Sequence, residues 1–186
     1  MADHTEEKEL TKEELSELLQ VRRDKLAKLQ EEGKDPFEVM KYPVDTHSDE
    51  IRAQYDAFEG KTVVMAGRLM AKRVMGKASF ANIQDRNGRM QVYVSKTDIG
   101  DESYADFKKY DIGDIIGITG FVFTTKMGEI SVHAKEVKLL SKSLQILPEK
   151  FHGLKDQELR YRQRYEDLTV NPEVKDTFFI RSSIIP

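Results

Sequence analysis

The feature that most constrains the fold of this chain is a change of hydrophobic period near Lys61. Before it, apolar residues recur at helical spacing. After it they alternate with polar residues, and β-branched and aromatic side chains become common, the pattern of half-buried strands. The alternation predicts a first strand over Thr62–Arg73, bent near Gly67 or Gly76, since glycine within a strand marks a bend or a close backbone approach. A second strand is expected over Ala78–Asp85 and a third over Arg89–Val94. Asn87-Gly88 lies between them and predicts a two-residue hairpin, because both residues tolerate positive φ. Thr97–Tyr110 reads as a loop and a helix with Tyr104, Phe107 and Lys108 on one side. A fourth strand over Asp114–Thr124, a turn at Lys126–Glu129 and a fifth strand over Ile130–Leu140 follow.

Three strands in a meander, a helix and two further strands is the order of an OB-fold, a five-stranded, partly open barrel. Spacing alone leaves a generic five-stranded sheet as the alternative. The expected class is an all-β core with helices (α+β): a five-stranded OB-fold barrel over residues 61–146, preceded by an N-terminal helical extension over 1–60 and followed by a helical linker over 147–170. In the extension, Leu15, Leu18, Leu19, Arg22, Leu26 and Leu29 predict a helix over Thr11–Glu32. Thr11 and Glu14 form a capping box and Gly33 a stop. Its narrow apolar stripe needs another surface to pack on. Asp35-Pro36-Phe37 breaks it, and Thr46 or Ser48 is placed to cap a short helix over Asp49–Phe58, ended by Gly60. Downstream, Pro148–Gly153 reads as a linker and Asp156–Leu168 as a helix rich in Arg and Tyr. Asn171-Pro172 opens a last helix, with Asn171 as N-cap and Pro172 in its first position. Its apolar residues Val174, Phe178, Ile180, Ile184 and Ile185 have no counterpart in the chain, so residues 171–186 are expected to begin a further domain.

The net charge of −3 is unevenly distributed. Met1–Gln20 is acidic, whereas Gly60–Ser95 carries Lys61, Arg68, Lys72, Arg73, Lys77, Arg86 and Arg89 against Asp85 alone. That local excess suits either a phosphate footprint or a solvated basic face. There is no cysteine, which excludes disulfides and suits a reducing cytosol. The N-terminal segment lacks the basic flank and apolar stretch of a signal peptide, and no apolar run has the ~18–20 residues of a membrane span; a cytoplasmic location without membrane contact is expected.

Strand alternation assigns faces. Met90, Val92 and Val94 must point to the core, with Ala81 and Ile83 opposite them, so Gln91, Tyr93 and Ser95, with Phe80, Asn82 and Gln84, point outward. Phe80 is then an aromatic ring on the outer face of the hairpin, where OB-folds stack bases. The plainer reading is a barrel-end residue covered by the Lys72–Lys77 loop or the N-terminal helices. Gln91 offers both a donor and an acceptor for a base edge, and Arg73 and Lys77 can neutralise phosphates. In the fifth strand, Glu129, Ser131 and His133 are expected on the solvent face. A carboxylate there repels phosphate, yet can accept a hydrogen bond from a base N–H; an ordinary turn glutamate is the alternative. His4, His47, His133 and His152 have no paired metal-ligand spacing, and neither a phosphate-binding loop nor an acid/base dyad is evident.

Longer strings carry a family likeness. Gly67-Arg68 with Arg73-Val74-Met75-Gly76-Lys77-Ala78-Ser79-Phe80 is similar to the first two barrel strands of lysyl-tRNA synthetases of the bacterial, class II type. Phe151-His152-Gly153-Leu154-Lys155-Asp156-Gln157-Glu158, continuing through Arg160–Leu168, resembles their connection between the anticodon and catalytic domains. Phe178–Ile185, with Arg181, resembles the opening helix of class II motif 1. Aspartyl and asparaginyl enzymes share the barrel but resemble Met75–Phe80 and Phe151–Glu158 less. The resemblance implies the N-terminal, anticodon-binding part of a homodimeric enzyme that uses ATP and Mg2+ to join lysine to its tRNA. It implies that Phe80 stacks on an anticodon base, that Gln91 and Arg73 contact base edges, and that Glu129 reads a uracil N–H. His133 and Arg68 are further candidates for the same groove. Motifs 2 and 3 are not in these residues, so no catalytic residue is assigned, no cofactor is expected within them, and they are not expected to aminoacylate. A general single-strand-binding OB protein is the rival reading.

Overall fold

The computed structural model describes residues 12–147 and 157–185. The expected capping box at Thr11 and the linker at 148–153 lie outside the described residues. The chain divides into two compact units, residues 1–145 and 146–186.

The first unit is a closed five-stranded barrel in the order β1-β2-β3-β5-β4. Its strands are β1 (Thr62–Met75), β2 (Ala78–Gln84), β3 (Arg89–Ser95), β4 (Ile115–Thr124) and β5 (Ile130–Ser141). Neighbours run antiparallel except β3 and β5, which pair in parallel at Gln91–Tyr93 and close the barrel. β1 is long enough to pair with β4 through its first half and β2 through its second. The bend expected in β1 falls at a bulge between Leu69 and Ala71. Gly67 sits just before it because a Cβ there would lie 2.9 Å from the Gln84 carbonyl oxygen. Gly76, at φ +65°, belongs to the β1–β2 turn.

The core-facing residues fall as expected, whereas Ser95, expected to point outward, is buried where its Oγ caps the next helix by accepting the Thr97 N–H. Ile83, Met90, Val92 and Val94 are fully buried and Ala81 nearly so. They meet Met65, Leu69, Ile116, Ile118 and Val132 in one core, each large side chain contributing about 1.5–3 kcal/mol through burial. Helices α4 (Lys96–Ile99) and α5 (Asp101–Lys109) connect β3 to β4. Tyr104 and Phe107 of α5 enter the core, and the Tyr104 hydroxyl bonds Ser79 Oγ at 2.7 Å and the Gly76 carbonyl at 3.1 Å. Lys108 stays at the surface, with its Nζ 5.6 Å from the Tyr104 ring centroid.

The expected two-residue hairpin at Asn87-Gly88 does not form. Residues 85–88 make a four-residue loop in which neither Asn87 nor Gly88 has positive φ. The Asp85 carboxylate organises the loop instead, accepting the backbone N–H of Asn87 (2.8 Å) and of Gly88 (2.7 Å). The same carboxylate alters the next expectation too. The predicted helix over Asp49–Phe58 is split at Gln54 into α2 (Ser48–Ala53) and α3 (Tyr55–Phe58), and neither Thr46 nor Ser48 is its N-cap. His47 holds that position without a side-chain bond. Asp85 caps the helix from across the fold, accepting Ser48 N–H and Ser48 Oγ–H, each at 2.7 Å.

Helix α1 (Lys12–Glu31) docks through a mixed stripe. Leu29 packs on the core, while Leu15 and Leu18 remain exposed. Arg22 donates to the carbonyls of Ser143 (3.1 Å), Gln145 (2.5 Å) and Ile112 (3.1 Å). Asp35 then caps a short 3-10 turn at Pro36–Glu38.

The second unit comprises α6 (Gln157–Arg162), α7 (Arg164–Val170) and α8 (Pro172–Ile184). Asp167, fully buried, accepts bonds from Arg160 (2.9 Å), Arg164 and Asn171 Nδ2 (2.6 Å). Asn171 occupies the expected N-cap of α8, but its side-chain amide serves Asp167 and does not cap the helix. Ile180, Ile184 and Ile185 are exposed.

Candidate nucleic-acid interface

Strand register places outward side chains in rows across the barrel. One row runs Arg73, Phe80, Tyr93, His133 and Phe121 across β1, β2, β3, β5 and β4. The next runs Ala71, Asn82, Gln91 and Ser131. The first row is aromatic because the outer face of these strands is only partly covered. The Phe80 and Tyr93 rings lie 5.2 Å apart at a tilt of 55°, and Tyr93 meets His133 edge-on at 4.8 Å.

The β1 and β2 members of the two rows, with Gln91 of β3, form the floor of a groove of about 540 Å³, lined by Ala71, Lys72, Arg73, Phe80, Asn82 and Gln91. The β4–β5 turn forms its wall with Thr125, Met127 and Glu129. That volume falls within the ~300–1,000 Å³ range of ligand sites. The turn is braced internally: Thr125 N–H bonds the Glu129 carbonyl at 3.0 Å, and Glu129 N–H bonds Thr125 Oγ at 3.1 Å. Gly128 completes it at φ +82°, a conformation that disfavours other residues.

The groove joins four of the seven candidates: Arg73, Phe80, Gln91 and Glu129. Phe80 is partly buried, Arg73 and Glu129 are exposed. Gln91 Nε2 donates to Ser131 Oγ at 3.0 Å, which fixes the amide and leaves its oxygen for a donor. Ser131, expected on the solvent face, is fully buried beneath this contact.

The other three candidates lie elsewhere. Lys77 is an exposed turn residue and does not line the groove. Arg68 donates to the Gly113 carbonyl at 2.8 Å. His133 continues the aromatic row past Tyr93, and its Nε2 pairs with Asp98 of α4 at 2.8 Å. Hydrogen bonds from Lys135 and then His133 hold the Asp98 carboxyl down at about 2. The basic excess of Gly60–Ser95 is also partly structural. Lys72 closes the end of α5, donating to the carbonyls of Phe107 (3.3 Å), Lys108 (2.9 Å) and Tyr110 (2.6 Å), and burial pulls its pKa down.

Sequence reasoning did not single out Asn82, Thr125 or Met127. Alternation already pointed Asn82 outward and its register partner is Gln91, so that contact was within reach. Met127 sits at a turn tip, 93% exposed, where no periodicity operates. Among the described residues, no group of three or more His, Asp or Glu is placed to hold a metal ion, and no helix is long and apolar enough to cross a membrane.

Comparison with known proteins agrees with this geometry. Residues 63–140 match the family model of the tRNA anticodon class, described as an OB-fold nucleic acid binding domain. The chain is 56% identical over 173 residues to the lysine–tRNA ligase of Thermoanaerobacter sp. (strain X514), a match covering 93% of this chain and 35% of that protein. It is 53% identical to the lysine–tRNA ligase of Clostridium tetani (strain Massachusetts / E88), over 97% of this chain and 36% of that one. The enzyme of Clostridium novyi (strain NT) is 51% identical, over 96% and 38%. The chain thus spans 35–38% of the length of these relatives. Residues 63–140 are thus similar to the OB-fold nucleic acid binding domains, and the chain is similar along nearly all of its length to a segment of the lysine–tRNA ligases.

Proposed function

We propose that the barrel binds the anticodon loop of lysine tRNA in the groove between the β1–β2–β3 face and the β4–β5 turn. The observation that carries this reading is the convergence of a ring (Phe80), a guanidinium (Arg73), an oriented amide (Gln91) and a carboxylate (Glu129) on one groove. They supply a ring for stacking, a guanidinium for phosphate or stacking contact, and two groups for base-edge hydrogen bonding. In this reading residues 61–146 are the anticodon-binding domain, 1–60 its helical extension, 147–170 a linker and 171–186 the opening of a catalytic domain. The parent activity is ligation of lysine to tRNA by a cytoplasmic homodimer using ATP and Mg2+. The described residues offer no metal-holding group, so no step of that chemistry is assigned to them.

Titration of the chain with anticodon stem-loops bearing UUU, and with a changed middle base, tests the reading. Tighter binding of UUU supports it; equal affinity would mean a general single-strand binder. Salt dependence is steep in either case and does not separate the two. Phe80→Ala should weaken stem-loop binding by ~1–3 kcal/mol, the contribution of one stacked base. It should cost fold stability only about 1 kcal/mol, since the ring's main partner is Tyr93. A larger fall in thermal stability than in affinity would assign Phe80 to packing instead.

A further inference from the structure

The Glu129 carboxylate raises a physical difficulty. It is an anion at the rim of a groove proposed to take a polyanion, and its side chain is 47% exposed. Left alone it would sample several rotamers and repel phosphate, poor properties for a group that reads one N–H. The structure supplies a partner. Arg52 of α2 donates from Nη2 to Glu129 Oε1 at 3.0 Å and from Nε to the Arg89 carbonyl, at the start of β3, at 3.2 Å. One guanidinium thus bridges the first residue of β3 and the β4–β5 turn.

Arg52 projects from a fixed platform. One residue earlier, Ile51 is fully buried in the barrel core. Ser48, at the start of α2, is bonded through both N–H and Oγ to Asp85, and Asp49 accepts the Asn87 side-chain amide at 2.9 Å. The backbone of Glu129 is independently held by Thr125. With both ends anchored, the planar fork of arginine loses little further freedom in making its two bonds.

We propose that Arg52 is a positioning residue for base recognition. It engages one oxygen of Glu129, offsets its charge, and leaves the second oxygen directed for a base N–H. The proposal rests on the anticodon-loop reading above and assigns the N-terminal helical extension a part in specificity. An exposed ion pair is worth little to stability, so the effect of removing Arg52 should appear in discrimination.

The test measures affinity of the full chain for UUU stem-loops and for stem-loops with U→C at each anticodon position, across wild type, Arg52→Ala, Arg52→Lys, Glu129→Gln and the Arg52→Ala/Glu129→Gln double variant. Arg52→Ala should lower discrimination roughly tenfold at one position, the scale of a charge-assisted hydrogen bond. It should do so at the same position as Glu129→Gln, and the double variant should lose no more than the worse single. Arg52→Lys should recover part of the loss, since it returns the charge without the fork. If Arg52→Ala lowers affinity for every stem-loop equally, Arg52 is a phosphate contact and the proposal is overturned. Unchanged discrimination overturns it too. Absence of discrimination in the wild type would instead sink the anticodon reading itself. Melting curves identify a variant that fails to fold, and Arg52→Lys then carries the test, its full wild-type discrimination counting against the two-point bridge.

Discussion

Replacing Lys142 by Met is expected to lower unfolding free energy by about 3–5 kcal/mol, the cost of leaving a buried charge without its partner. The Lys142 side chain is 2% exposed and that of Asp114 is fully buried. Lys142 Nζ donates to both oxygens of Asp114 at 2.9 Å and to Asp111 at 2.5 Å. Asp111 in turn accepts from Lys25 of α1 at 2.6 Å, so the network ties the N-terminal helix to the end of the barrel. Methionine fills the volume, which makes loss of packing a minor part of the change. Asp114 keeps the N–H groups of Asp111 and Ser143, but not a cation. The double variant Lys142→Met/Asp114→Asn should recover much of the loss, because it removes both charges together. Urea denaturation of wild type, Lys142→Met, Asp114→Asn and the double variant checks this; a double variant no better than Lys142→Met would place the cost in packing. The network also has a pH signature. Burial pushes the Asp111 carboxyl up, but hydrogen bonds from Lys142 and Lys25 outweigh it and hold it below the usual carboxylate range. A depressed folded value contributes stability above the ordinary value of about 3.9 that is lost as pH falls through the lower folded value. The acid limb of the stability curve should therefore flatten in Lys142→Met.

Period-two alternation was a dependable guide because it is a property of each strand by itself. Met90, Val92 and Val94 had to share a face whatever the strand paired with, and all are fully buried. The same argument put Phe80 and Gln91 outward, and register then brought both to one groove. What stayed illegible were contacts set by distant residues. Nothing near Ser48 announces that its acceptor is Asp85, 37 residues away. Asn87-Gly88 favours a tight turn, yet one oxygen of the Asp85 carboxylate accepts two backbone N–H groups in a wider loop, and that outweighs the local preference. Lys72, which also lines the groove, and Arg68 are partly committed to the fold for a related reason. Carbonyls at the end of α5 and at Gly113 accept from those two cations. The Arg52–Glu129 pair spans 77 residues and joins two segments that read in sequence as unrelated.

Asp85 is where these distant constraints meet, and its replacement by Ala is expected to cost about 3 kcal/mol. The carboxylate accepts four hydrogen bonds: Ser48 N–H, Ser48 Oγ–H, Asn87 N–H and Gly88 N–H. Alanine removes the distal cap of α2, worth ~0.5–2 kcal/mol, and leaves two loop N–H groups to find water at a further ~1 kcal/mol or more. Asp85→Asn should be milder, since an amide oxygen in the place of Oδ1 keeps the two loop N–H groups and Ser48 Oγ–H and loses only the acceptor of Ser48 N–H. The loss has a functional direction as well. With the Ser48 anchor gone, α2 is held mainly by Ile51, and Arg52 no longer projects from a fixed start. If the bridge to Glu129 orients base recognition, Asp85→Ala should weaken discrimination among stem-loops under conditions where the variant remains folded, although Asp85 does not line the groove. Thermal melts and stem-loop titrations on the same preparations separate the two effects. Full discrimination in a folded but destabilised Asp85→Ala would show that α2 holds Arg52 without this anchor, leaving the hub a purely structural role.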